Sequence, residues 1–230
     1  MFESPYRGFC TSFSRSTDRF NLDELTSGLG ERFETTRIAL KFYSCVGSNH
    51  TTLDAIRDLQ TAHGFKLPDI EKITVFGSKV TVDHVGWKYR PEGLTSAQLN
   101  LPYCAATLLL ESDVFVDQFT ETMVADATRM KVSEMVDVVE DPTITARGNR
   151  YRQMVRVQIK LKGGKTMEQT VEAPRGSEQK LATAADVIEK FRKLASRRLA
   201  PAVVERLVQM IMSAETLPKI SSLLVELASV

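Results

Sequence analysis

Three reactive side chains fall within one short stretch, LKFYSCVGSNHTTLDAI (residues 40–56): Lys41, Cys45 and His50. A lysine at the end of an extended apolar run can hold a carboxylate or, when desolvated, take up a proton. A histidine ahead of a helix lies beside free backbone N–H groups and the positive end of the helix dipole, a natural place for an anion. A cysteine is a nucleophile only where a neighbouring base or cation depresses its pKa, and spacing shows neither. Each also has a plainer reading: a solvated lysine, a cap-adjacent histidine, a small buried thiol. Tyr103, beside Pro102, can donate a proton into a cleft, although a tyrosine in an apolar helix is more simply a core residue.

The remaining reactive residues form no pattern. Three cysteines (Cys10, Cys45, Cys104) and three histidines (His50, His63, His84) have no zinc spacing and are too few for a disulfide framework. GSKVT and KGGKT resemble pieces of phosphate loops without the full glycine-to-lysine spacing. The basic run Lys190, Arg192, Lys193, Arg197, Arg198 reads as the wet side of an amphipathic helix. No metal and no cofactor are expected.

These residues need elements to position them. Thr51 or Thr52 is placed to cap a helix through about His63, with Leu53, Ile56 and Leu59 at helical spacing and Gly64 ending it. EKITVFGSKVTVDHVG (71–86) is rich in β-branched residues and predicts one or two strands bent at Gly77. TSAQLNLPYCAATLLLES (95–112) predicts a buried helix, kinked or started late by Pro102. Residues 117–135 predict further helix with a break near Asp126.

Val155, Val157, Ile159 and Leu161 alternate with Arg156, Gln158, Lys160 and Lys162. Gly163-Gly164 turns the chain, and a strand over 165–173 returns. One face is apolar and one polar, so an antiparallel sheet covered by helices on one side is expected. From about residue 183 the chain reads as helical, with stripes at Val187, Phe191 and Leu194, at Val204, Leu207, Val208 and Ile211, and at Ile220, Leu223, Leu224 and Leu227.

The chain has 230 residues, and its 30 basic and 29 acidic side chains nearly cancel, so no broad positive field draws nucleic acid or an anionic membrane. No apolar run reaches the ~20 residues of a spanning helix, and MFESPYRGFCTSFSRSTDRF has no signal architecture; a cytoplasmic protein is expected.

In order along the chain, several segments resemble the MmgE/PrpD family, the 2-methylcitrate dehydratase-like proteins. GLGERFETTRIALKFYSCVGSNHTTLDAI is similar to its G-L-G-x-x-W/F…K-x-Y-P-C-x…T/S-H-x-x-I/L-D-A segment, and SAQLNLPYCAATLLLESDVFVDQFT to its S-A-x-F-S-L-P-Y-x-x-A…G-D-V…F-T segment. A VxVxLxxG hairpin, PRGSEQ in place of P-x-G-x-P, and EKFRKLA follow. The resemblance implies cofactor-independent lyase or isomerase chemistry on small di- or tricarboxylates. By position it makes Lys41, His50 and Tyr103 the catalytic candidates, with Lys41, Ser48 and Thr51 to hold the substrate.

There are departures from the pattern. Ser44 replaces a proline, which should loosen the turn after Lys41. Val46 stands where some decarboxylase members carry a catalytic histidine, and Asn49 replaces a threonine or serine. Family members resemble a large helical domain followed by an α+β lid, with C-terminal helices returning to the first domain. On that pattern residues 1–36 are the end of a truncated helical domain, 37–182 the lid, and 183–230 helices that would pack on the missing domain. The expected function is then a portion of such an enzyme, with little turnover alone and either a homodimer or a partner supplying the helical domain. The alternative is a non-catalytic binding or assembly module that keeps the lid fold.

Overall fold

The computed structural model describes residue 4 and residues 8–228, with backbone only at 34, 37 and 226–228. Leu227, placed by sequence on the third terminal stripe, therefore lies outside the described side chains. The chain divides into two compact units, Met1–Ile38 and Ala39–Val230.

In the first unit, helix α1 (Phe9–Ser14) is followed by 3-10 turns at Leu22–Leu25 and Glu34–Arg37. The first of these turns is opened by Asn21, whose side chain accepts from the Asp23 N–H at 3.1 Å.

The second unit is built on four strands, β1 (Ile70–Gly77), β2 (Val136–Glu140), β3 (Val155–Leu161) and β4 (Thr166–Val171), in the spatial order β2-β1-β3-β4. Its helices are α2 (Gly47–His63), α3 (Lys79–Val85), α4 (Leu94–Leu99), α5 (Leu101–Glu111), α6 (Glu121–Val124), α7 (Ala127–Ser133), α8 (Pro142–Ala146), α9 (Ala184–Ala195), α10 (Pro201–Met212) and α11 (Ser222–Ala228). The class is α+β.

The period-2 pattern does what it predicts. Ile73 and Val75 on β1 pair with Ile159 and Val157 on β3, and Ile159 pairs onward with Met167 on β4. All five are buried, while Arg156, Gln158 and Lys160 on the opposite face are not. α2 lies against β3 and β4 and α5 against β2, so one sheet face carries the core. Each fully buried Val or Ile contributes about 1.5–3 kcal/mol relative to exposure.

Four local expectations change. The sheet is mixed rather than wholly antiparallel: β1 runs parallel to β2, with Ile73 opposite Val136. A parallel neighbour needs a long crossover, and the chain between Gly77 and Val136, carrying α3 to α7, supplies one.

Residues 79–85 form a helix instead of a second strand. Ser78 caps it, accepting from the Thr81 N–H at 3.2 Å, and the hydroxyls of Ser78 and Thr81 both donate to the Arg152 carbonyl at 2.8 Å. That cap outweighs the β-branched propensity of KVTVDHV. Finally, α2 begins at Gly47, several residues before Thr51, so Ser48, Asn49, His50 and Thr51 are helical. The predicted 95–112 helix is two helices separated at Asn100, with Pro102 in the first turn of α5.

A lysine-lined cleft backed by a thiol pair

Residues 40–46 form no strand, yet they are pinned from both sides. The Leu40 N–H donates to the Gly176 carbonyl at 2.9 Å, and the Arg175 guanidinium sits 4.4 Å from the Phe42 ring centre. The Tyr43 hydroxyl donates to Asp54 Oδ1 at 2.7 Å, and burial, reinforced by Asp54, pushes its pKa well up. Gln98 closes the turn: its side-chain amide donates to the Ser44 carbonyl, and its own carbonyl accepts from the Val46 N–H, both at 3.0 Å. The Ser44 N–H donates to the Val114 carbonyl at 2.9 Å. A proline there has no N–H to give, so the serine adds an anchor where a looser turn was expected.

This pinned segment forms one wall of a cleft of about 460 Å³, with Lys41, Tyr43, Ser44, Cys45 and Val46 facing Thr95, Gln98, Leu99 and Val116. The volume suits a small acid. Lys41 is exposed at this cleft.

A recess of about 510 Å³ lies beside β2, but its charged lining is Lys88, Glu134 and Asp137. One cation against two carboxylates disfavours an anionic ligand there, and none of the sequence candidates lines it.

Behind Lys41 lies a cluster that spacing concealed. Cys45 is 4 % exposed and Cys104, from α5, is fully buried. The neighbouring Cys104 thiol, helped by His50 and Lys41, draws the Cys45 pKa down to about 6 against the upward pull of burial. Burial, together with the Cys45 charge, holds the Cys104 pKa well up. Cys45 also directly precedes Val46, the N-cap of the 17-residue α2, where the helix dipole favours a thiolate. Asn49 completes the support: its amide donates to Cys104 Sγ at 3.4 Å.

The other candidates separate. His50 is 2 % exposed in the first turns of α2, edge-on to Tyr43 with ring centres 5.1 Å apart and Nε2 unpartnered. It stands behind the cleft wall, not on it. Thr51 is buried and its hydroxyl donates to the Gln153 carbonyl at 2.7 Å; Ser48 is half-buried.

Tyr103 points to another place, with its ring 4.6 Å from Tyr89 and 6.0 Å from Phe119 and the Arg129 guanidinium 5.7 Å from its centre. Burial raises its pKa, with Arg129 opposing. Lys41 thus shares its cleft with Cys45 and Gln98, and neither His50 nor Tyr103 lines it. Among the described residues, no group of three or more His, Cys, Asp or Glu is placed to hold a metal ion.

The profile of the MmgE/PrpD C-terminal domain matches residues 43–216, which span the segment after Lys41, the sheet and α9 to α10. The chain belongs to the MmgE/PrpD family. It is 29% identical over 97% of its length to cis-aconitate decarboxylase-like protein oryM of Aspergillus oryzae, covering 48% of that relative. It is 25% identical, with the same coverage, to a cis-aconitate decarboxylase of Aspergillus terreus. It therefore spans about half the length of the curated relatives it matches. Among the described residues no helix is long and apolar enough to cross a membrane. Within the MmgE/PrpD frame, Gln98 is a cleft residue that the sequence did not mark, and Cys45 one whose plainer reading was a small buried thiol. Gln98 acts on Ser44 and Val46, more than fifty residues away, and Cys45, though it closes the K-x-Y-x-C run, meets Cys104 only in the fold.

Proposed function

We propose that this chain is the lid-bearing C-terminal portion of a cofactor-independent lyase or isomerase acting on small di- or tricarboxylates. The observation that carries the reading is Lys41, an exposed ammonium at a small cleft whose wall is fixed by backbone and side-chain hydrogen bonds. Such a cation pairs with a substrate carboxylate and stabilises the enolate-like charge that develops when a proton leaves the neighbouring carbon. The relatives named for cis-aconitate decarboxylation bring the substrate class, an unsaturated tricarboxylic acid.

Val46 lines the wall where some decarboxylase members carry a histidine, and this favours dehydration or isomerisation over loss of carbon dioxide. The residues that complete the chemistry would come from a helical domain, on a further segment or a separate subunit.

Calorimetric titration with citrate and assays on 2-methylcitrate and cis-aconitate, with and without a helical-domain partner, test the reading. Binding without turnover is expected for the chain alone. Lys41→Ala removes a charge-assisted bond worth about 1.5–3 kcal/mol, so affinity should fall about 10- to 100-fold. Strong turnover by the isolated chain defeats the half-site reading, and absence of any carboxylate binding favours the assembly module.

A further inference from the structure

Cys45 combines features that a purely structural thiol does not need. It lines the same cleft as Lys41 and feels its charge. Beside it stands Cys104, whose sulfur accepts from the Asn49 amide at 3.4 Å, and Cys45 itself sits ahead of the α2 N-terminus. Behind it, His50 is buried with Nε2 unpartnered, and the fully buried Asn49 leaves Oδ1 unpartnered. Two polar atoms without partners in so dry a place cost free energy that packing alone does not repay.

We propose that the Lys41–Cys45 cleft is also a covalent site, at which the Cys45 sulfur adds to small α,β-unsaturated carboxylates held by Lys41. The inference rests on the carboxylate-handling reading of the cleft and extends it to a reaction that consumes the thiol.

The chemistry balances without an oxidant or reductant. The Cys45 proton passes to the His50 imidazole. The sulfur lone pair forms a C–S bond to the β carbon, and the C=C π pair moves onto the α carbon and its carboxylate. Lys41 neutralises that carboxylate, which otherwise repels a thiolate and deactivates the alkene. The α carbon then takes a proton from water, and the hydroxide left behind takes back the proton held on His50, leaving a thioether, neutral imidazole and water. A thiolate is a soft nucleophile suited to such an acceptor. The cleft's contribution is selectivity: a solvent-exposed thiol reacts faster with neutral acceptors than with charged ones, and a neighbouring ammonium reverses the order.

The test uses the whole chain with maleate as the anionic acceptor and acrylamide as the neutral one, followed by intact mass and peptide mapping. The expected result is a single maleate adduct on Cys45. The maleate-to-acrylamide rate ratio should fall at least tenfold in Lys41→Ala, a surface change that leaves the fold intact. Cys45→Ser should abolish the adduct. If that variant fails to fold, peptide mapping of the unmutated chain still locates the modified sulfur. Maleate adducts forming equally fast at Cys10, or an unchanged ratio in Lys41→Ala, overturn the proposal. So does citrate binding at the cleft with acrylamide labelling of Cys45 but no maleate adduct; that outcome leaves the carboxylate-handling reading standing. Failure of both citrate binding and maleate addition defeats the two together.

Discussion

Asn100→Ala tests how the cleft wall is held. Asn100 is fully buried between α4 and α5 and has two tasks. Its Oδ1 accepts from the Tyr103 N–H at 2.8 Å, capping the helix that carries Cys104, and its Nδ2 donates to the Trp87 carbonyl at 2.6 Å. Losing the cap costs about 1 kcal/mol. Leaving the Trp87 carbonyl without its donor adds about 1–2 kcal/mol. The sum, about 2–3 kcal/mol, corresponds to a fall in Tm of about 5–10 °C for a chain of this size.

Asn100→Ser is the informative companion. Its hydroxyl can still cap α5 but is too short to reach Trp87, so it should recover about 1 kcal/mol of the loss. Urea unfolding followed by far-UV circular dichroism gives both values. Equal losses in the two variants, or a loss under about 1 kcal/mol in the alanine, would show that Asn100 is not the joint described here. Because the cap orients Cys104, the alanine should also raise the apparent pKa of Cys45.

Further outcomes follow from the same contacts. Gly176 has φ +87°, and a Cβ there would lie 2.6 Å from the Leu40 carbonyl oxygen and 2.8 Å from Phe42 Cε2. Gly176→Ala should therefore lower stability by more than the ~1–2 kcal/mol of left-handed strain alone and weaken citrate binding by displacing Lys41, read by unfolding and calorimetry. Thiolate absorbance should reveal one thiol ionising near pH 6, and Cys104→Ala should move that midpoint upward, because the Cys104 thiol is the largest influence lowering it; an unmoved midpoint assigns the depression elsewhere. The Asp186 carboxyl is held below its usual range by the Thr183 backbone N–H and hydroxyl and by Arg175. A depressed carboxyl stabilises the fold above its unfolded pKa and loses that contribution as pH falls through the folded value. Acid titration of stability should accordingly lose part of its slope below about pH 4 in Asp186→Asn, and an identical acid limb would contradict the assignment.

How much of this was legible in the residues varies by element. The β3–β4 hairpin was readable because alternation and Gly163-Gly164 agree, and Asp126 marks the α6–α7 break by capping α7. The parallel β1–β2 pair was not, since VDVVE is short and largely outside the core, and pairing direction leaves no mark in either strand alone. The helix over 79–85 hid behind β-branched residues, and only the Arg152 carbonyl, far along the chain, reveals why Ser78 caps there. In the cleft, Lys41 was visible from its type and place. The environment of Cys45 was not, because its strongest neighbour, Cys104, arrives on a different helix.

The long crossover between Gly77 and Val136 has a kinetic consequence. β3 and β4 meet through a short turn and can pair early, whereas β2 joins β1 only after α3 to α7 have folded back. The cleft draws one wall from before β1 and the other, Gln98 with Cys104 behind it, from inside that crossover. Its two sides are thus brought together by one of the slowest closures in the unit. Opening of the same segment should appear in native-state hydrogen exchange at a lower free energy than opening of the β3–β4 hairpin. Ligand bound between the walls should then slow exchange in α4 and α5, a signal of occupancy available without any turnover.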